Sequence, residues 1–376
     1  MNLKAAPAIF PLVSAPPELA LKPDFPKTVE RFRAWWACAA QDRPVVTLEV
    51  KPSRPARERP STHMTWRARW LDVEWNVENA LARLEARDYP GDSFPRYASP
   101  FGPEIAAALF GCDLDFGEDA ATPRPSVRDP SGWEKIAEAK TDFDNPSWVA
   151  LEKMTRLAVE RAEGRCVVSL ANLHGNYDLL AALREPRDLC ADMLDCPELV
   201  RKAGRRVSAG FVEALQRHWA IVRAAGKGCT TWQPFHHEGL AYVASSDFWG
   251  LISPALARDL VLPDLLAEIA PLERCLFHLD GPGAFPRLDL LLGLREIQAV
   301  QWAYGAGQGP AARWIEVYRR CLAAGKAVQV LAEDPADALE TLRVLGPEGV
   351  WLVVEKPFDT LEEAERFLAE TEKPGK

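Results

Sequence analysis

Apolar positions along the chain fall into short blocks separated by polar, proline-bearing stretches. Residues 1–26 show no period and read as an irregular N-terminal arm. Pro26-Lys27-Thr28 then opens an amphipathic pattern, with Val29, Phe32, Trp35 and Trp36 on one helical face. After Arg43-Pro44 comes Val45–Val50, short and β-branched, which predicts a strand. Seven further runs read the same way, at 94–99, 166–171, 229–233, 275–280, 297–302, 328–332 and 350–355. Helical periods occupy 186–194, 197–217, 254–269, 311–324, 335–345 and 361–369. Strands that alternate with helices predict a parallel sheet. Eight such units predict an α/β fold, a single (β/α)8 TIM-type barrel over residues 27–376.

An open doubly wound sheet is the alternative. No GxGxxG or GxxxxGK[ST] follows a strand, and Gly305–Gly309 lacks that spacing. Residues 51–92 are long for a strand-to-helix connection and read as an insertion after strand one. Its first part, 51–65, is basic and proline-rich, hence a loop.

Composition narrows the partners. The 376 residues, 48% of them hydrophobic, can bury a large core. The net charge of −9 comes from mixed acids and bases, which argues against nucleic acid and anionic membranes. Met1–Leu21 lacks the basic start and sustained apolar core of a signal peptide, and no run is long enough to span a membrane. The eight cysteines show no CxxC pair and read as reduced core thiols of a cytoplasmic protein. The oligomeric state stays open.

Barrels of this type place their chemistry at the C-terminal ends of the strands. Of six histidines, four follow or end an expected strand, namely His174, His236, His237 and His278. Polar residues gathered there favour a ligand pocket. His278 and Asp280 stand two apart on a strand and so point to one side. An imidazole beside a carboxylate suits a metal or an acid/base pair, with a hydrogen-bonded strut as the alternative. His237 is a further catalytic candidate, and His174, His236 and Gln233 are expected substrate contacts. Trp232, Trp302 and Tyr304 either pack under the loops or line the pocket of a flat ligand. Lys51 and Arg54 are expected to grip carboxylates.

Three stretches taken in order carry a family resemblance. They are Arg43-Pro44-Val45-Val46, then Ser246-Asp247-Phe248-Trp249-Gly250-Leu251-Ile252-Ser253-Pro254, then Phe277-His278-Leu279-Asp280-Gly281. Together they resemble the uroporphyrinogen decarboxylase superfamily, which also contains the methylcobamide:coenzyme M and related corrinoid methyltransferases. The likeness covers roughly residues 28–370, loosely in the N-terminal third, and implies a (β/α)8 barrel.

The decarboxylases' arginine-rich RQAGR pattern is absent. Ser99–Pro103 stands where they carry an aspartate, and Glu355 where they carry a histidine, which argues against uroporphyrinogen decarboxylation. In the methyltransferase branch, a histidine and cysteine of H-x-C on strand five and a cysteine near strand eight hold zinc. The zinc makes a thiol into a thiolate nucleophile. Here His278 matches, Asp280 stands for the first cysteine, and Glu355 is nearest to the second. The resemblance thus implies a metal-dependent, methyltransferase-type transferase acting on a small molecule. Zinc or another divalent metal would sit on His278, Asp280 and Glu355, and any corrinoid would arrive on a partner protein. Two other readings stay open. One is a metal-free lyase or decarboxylase of a small carboxylated substrate, with His278 or Asp280 moving the proton. The other is a non-catalytic small-molecule-binding barrel.

Overall fold

The computed structural model of the chain describes residues 15–372, so residues 1–14 of the expected arm lie outside it. Eight strands that pair in parallel follow one another in chain order. They are β1 Val45–Thr47, β2 Arg96–Tyr97, β3 Val167–Val168, β4 Ala241–Ser245, β5 Arg274–Asp280, β6 Ala299–Ala303, β7 Ala327–Ala332 and β8 Val350–Val354. Six form one sheet in the order β1-β8-β7-β6-β5-β4, and β2 with β3 forms a second. The architecture is α/β of TIM-barrel type, with helices between the strands as the alternating pattern predicts.

Two seams separate the sheets. At the first, the Asp92 amide donates to Val46 O at 2.7 Å, and the Ser93 hydroxyl bonds both backbone groups of Leu48. Asp92 is wholly buried and accepts from Arg31, Arg43 and the Val46 amide, so the arginine of the Arg43-Pro44 motif is an internal tie. At the second, residues 229–231 run beside the end of β3, where Leu170 N donates to Thr230 O at 2.9 Å.

The structure corrects the fourth strand. Cys229–Gln233 is short and β-branched, yet it turns back on itself: Cys229 and His237 exchange backbone hydrogen bonds of 2.6 and 3.1 Å. The strand is Ala241–Ser245, apolar on both faces and paired with β5 from Ala241↔Arg274 to Ser245↔His278.

The expected helices are present at Pro186–Asp195, Pro197–Val222, Pro335–Leu345 and Leu361–Thr371. The stretch 254–269 is helical with a π segment at Ala257–Val261, and 311–323 opens as a 3-10 turn. The insertion is itself helical at Trp66–Leu71 and Val73–Glu85, each capped by a side chain, Thr65 and Asp72.

Helix Phe25–Trp36 buries the apolar face that its period predicts and closes the N-terminal end of the strands. Trp35 donates to Val328 O at 3.1 Å and Trp36 to His236 O at 3.0 Å. Phe32 and Trp35 meet Trp351 edge-on at 5.2 and 5.3 Å, and Phe25 packs on Phe94 at 5.2 Å. This aromatic plug leaves the C-terminal ends of the strands as the open end.

Candidate functional site

Pairing register aligns Ser245, His278, Gln301 and Gln329 across β4 to β7. Three of these side chains form a chain of hydrogen bonds inside the barrel. His278 Nδ1 bonds Gln301 Oε1, Gln301 Nε2 donates to Gln329 Oε1 at 2.6 Å, and Gln329 Nε2 donates to Gln233 Oε1 at 2.8 Å. The buried Gln301 therefore presents its oxygen to the histidine. Nδ1 carries the proton, and in the neutral ring Nε2 keeps its lone pair. That Nε2 faces Asp247 Oδ1 at 4.0 Å, and Trp232 packs edge-on against the imidazole at 5.2 Å.

Asp247 stands in the 3-10 turn Asp247–Leu251 that follows β4. Asp178 holds this turn, accepting from the Asp247 amide at 3.0 Å and the Phe248 amide at 2.7 Å. Single ligand atoms of Asp247, His278 and Asp280 all lie within 4.8 Å of one another, and so do those of His174, Asp178 and Asp247. Asp178 spends its oxygens on the turn, so it positions Asp247. Asp280 accepts no hydrogen bond from a described residue. Partial burial, then the Asp178 and Asp280 charges, push the Asp247 carboxyl up to about 7, although 42% of its side chain opens to the strand ends.

The donor set fits a divalent cation. It offers two carboxylates and an imidazole nitrogen whose tautomer is fixed, a hard oxygen-and-nitrogen set suited to zinc or a harder metal. A cation would also relieve the crowding of negative charge that raises Asp247. No cysteine belongs to either group of ligand atoms among the described residues. Cys229 and Cys275 are buried, and burial pushes both thiols up to about 12.

The other expected site residues divide. His174 joins the cluster, and Gln233 and Trp232 stand beside it. Glu355 does not join; it lines an adjoining cavity of about 460 Å³, and burial together with Glu333 and Asp337 raises its carboxyl. Lys51 is exposed and paired with Asp359, and Arg54 is exposed and donates to Glu85 O; neither lines that cavity.

His236 and His237 precede β4 instead of following a strand, which puts them at the plugged end. His236 is 1% exposed, meets Phe25 edge-on, and is pushed down to about 4 by burial. His237 faces Glu273, just before β5, at 3.4 Å. Five strand residues, about 16 Å, separate that level from His278. Trp302 points away from the interior and packs between Phe285 and Trp314, wholly buried. Tyr304 stacks on Trp314 and donates to Leu331 O at 2.7 Å. Both serve as packing. Sequence reasoning did not single out Asp247, which the geometry adds to the candidate cluster. A larger cavity, about 810 Å³ between the insertion and the hairpin Asp113–Phe116/Ala121–Arg124, contains neither ligand group.

Among solved structures, a methyltransferase from Methanosarcina mazei matches with a TM-score of 0.59 and 14% identity, covering 92% of this chain and 98% of that chain. This chain has the fold of that methyltransferase. A B12-independent methionine synthase from Shewanella sp. W3-18-1 also matches, at TM-score 0.43 and 12% identity, over 88% of this chain and 96% of that chain. At 14% identity the likeness to the Methanosarcina protein is one of fold. It is the fold that the superfamily resemblance implies. No protein-family model matches the sequence, and no curated protein matches it. Among the described residues, no helix is long and apolar enough to cross a membrane.

Proposed function

We propose that this chain is a metal-dependent transferase of the methyl-transfer type. The observation that carries the proposal is the convergence of Asp247, His278 and Asp280 within 4.8 Å at the open end of a methyltransferase-like fold. These three residues would hold zinc or another divalent cation, with His174 beside them. The cation, when bound, supplies Lewis acidity that keeps an acceptor thiol or similar group anionic at neutral pH. The chain's own part is positional. Gln301 fixes the His278 tautomer, Asp178 fixes the Asp247 turn, and Trp232 shields one side of the imidazole. In this reading the methyl donor is a corrinoid brought by a partner protein.

Metal content of the purified chain tests the proposal. We expect one divalent cation per chain after reconstitution, lost in Asp247→Asn and in His278→Ala. Methylcobalamin offered with a small thiol should then be demethylated by the wild type alone. Wild-type protein that takes up no zinc, cobalt or manganese would sink the metal reading.

The approach of His278 Nε2 to Asp247 at 4.0 Å favours one second reading, a metal-free lyase in which one of these groups exchanges a proton with the substrate. Turnover of a carboxylated substrate that persists in chelator and vanishes in Asp247→Asn would select it.

A further inference from the structure

On the far side of Trp232 the barrel interior holds a charge that the chain does not neutralise. Arg96 stands on β2, and its guanidinium donates to Ser169 Oγ at 3.1 Å. Ser169 in turn donates to Thr231 O at 3.2 Å, which fixes the hydroxyl. No carboxylate of a described residue pairs with Arg96. Desolvation alone acts on it and lowers its pKa to about 10, so it stays a cation at neutral pH. Arg31 and Arg43 are treated differently, since both meet the carboxylate of Asp92. A cation withdrawn from water without a counter-charge is costly, and such a group facing a cleft is a candidate binding site. The exposed face of Arg96 opens into the cavity of about 460 Å³ that Trp232, Phe94, Pro234, Val353 and Glu355 also line. That volume suits a small organic molecule.

We propose that this cavity binds the carboxylate group of a small organic acid, gripped by Arg96, as the substrate subsite of the reaction centred on His278. The proposal rests on the transferase reading only for the word substrate. Trp232 lines the cavity and touches His278 edge-on at 5.2 Å, so the cavity abuts the candidate metal ligands.

A carboxylate fits better than a phosphate. The planar fork of one arginine matches a planar monoanion in two parallel hydrogen bonds. The other cation on the cavity wall, Arg87, is already 3.7 Å from Glu49. Glu49, Asp88 and Glu355 also line the cavity, and they repel a dianion more strongly than a monoanion.

Calorimetric titration of the whole protein tests the subsite, with acetate and benzoate as probes. Their amides, acetamide and benzamide, are the uncharged controls, and inorganic phosphate is the dianion. We expect the acids to bind at millimolar concentration, and the amides roughly tenfold more weakly. Arg96→Met should lose the preference for acid over amide, and Arg96→Lys should keep part of it. Asp247→Asn should bind benzoate as the wild type does, which separates this subsite from the metal reading. If Arg96→Met does not fold, Arg96→Lys decides alone: full wild-type preference there overturns the proposal. So does equal binding of acid and amide by the wild type, no binding of either acid, or tighter binding of phosphate.

Discussion

His278 is defined by what its other nitrogen touches. Gln301 Oε1 takes the Nδ1 proton, and Gln301 is itself held by Gln329, so the imidazole has one orientation and one tautomer. Gln301→Leu removes that acceptor and leaves two buried polar atoms without partners. Metal affinity, measured by competition with a chromogenic chelator, should fall about 10- to 100-fold. Urea denaturation should show a loss of about 1–3 kcal/mol. Gln301→Glu should retain the affinity, since a carboxylate accepts the same proton. Equal affinity in Gln301→Leu and wild type would remove the glutamines from any positioning role. The arginines teach a related point at this scale. A sequence displays Lys51, Arg54 and Arg96 as equal charges. Folding pairs Lys51 with Asp359, gives Arg54 a surface carbonyl, and leaves Arg96 facing a cavity. Charge is legible in a sequence, but pairing across β1 to β3 is not.

Among the elements, the turn after β4 decides the site. It bears Asp247, and Asp178 holds it through the Asp247 and Phe248 amides. Asp178→Ala frees two amides and leaves the turn unanchored. We expect a stability loss of about 1–3 kcal/mol and a larger proportional loss of metal affinity than of fold, read by denaturation and chelator competition on one preparation. Affinity unchanged beside a clear stability loss would make Asp178 a fold residue only. The same turn explains what the sequence left hidden. Seven of the eight expected strand runs overlap observed strands, and the helices from 186 onward stand close to their expected bounds, because each carries a clean period. The fourth run was misleading. Cys229-Thr230-Thr231 has strand-like residues but folds back on His237, while Ala241-Tyr242-Val243-Ala244 is buried on both faces and shows no alternation. That single displacement carried His236 and His237 to the wrong end and hid Asp247, whose position depends on where β4 stops. His278 and Asp280 were legible because their strand was.

For the whole molecule, buried titrating groups make stability depend on pH in two opposed ways. Asp247 and Glu268 are raised from ordinary carboxylate values to about 7, and Asp264 to about 6, mainly by burial. A raised carboxyl binds its proton more tightly in the folded chain. Its contribution is therefore complete at low pH and is lost as pH rises through the folded value. His218 and His236 are pushed down from 6.5 to about 4, so their contribution is lost in the other direction, as pH falls from 6.5 through 4. The two sets offset each other in the acid range. Of these five groups, Asp247 and Glu268 still titrate above 6.5, and their share of the metal-free protein's stability should fall there, less so in Asp247→Asn. A bound cation changes the sign of the Asp247 share, because it needs the carboxylate and must displace the proton. At a free metal concentration about 100 times Kd the gain is about 2.7 kcal/mol where Asp247 is ionised. Each pH unit below the Asp247 value should cut that gain by about 1.4 kcal/mol. Urea denaturation with and without metal, at about pH 6 and about pH 8, reads the difference directly. A metal-induced gain that is the same at both pH values would mean that no proton leaves Asp247 on binding, and would take Asp247 out of the ligand set.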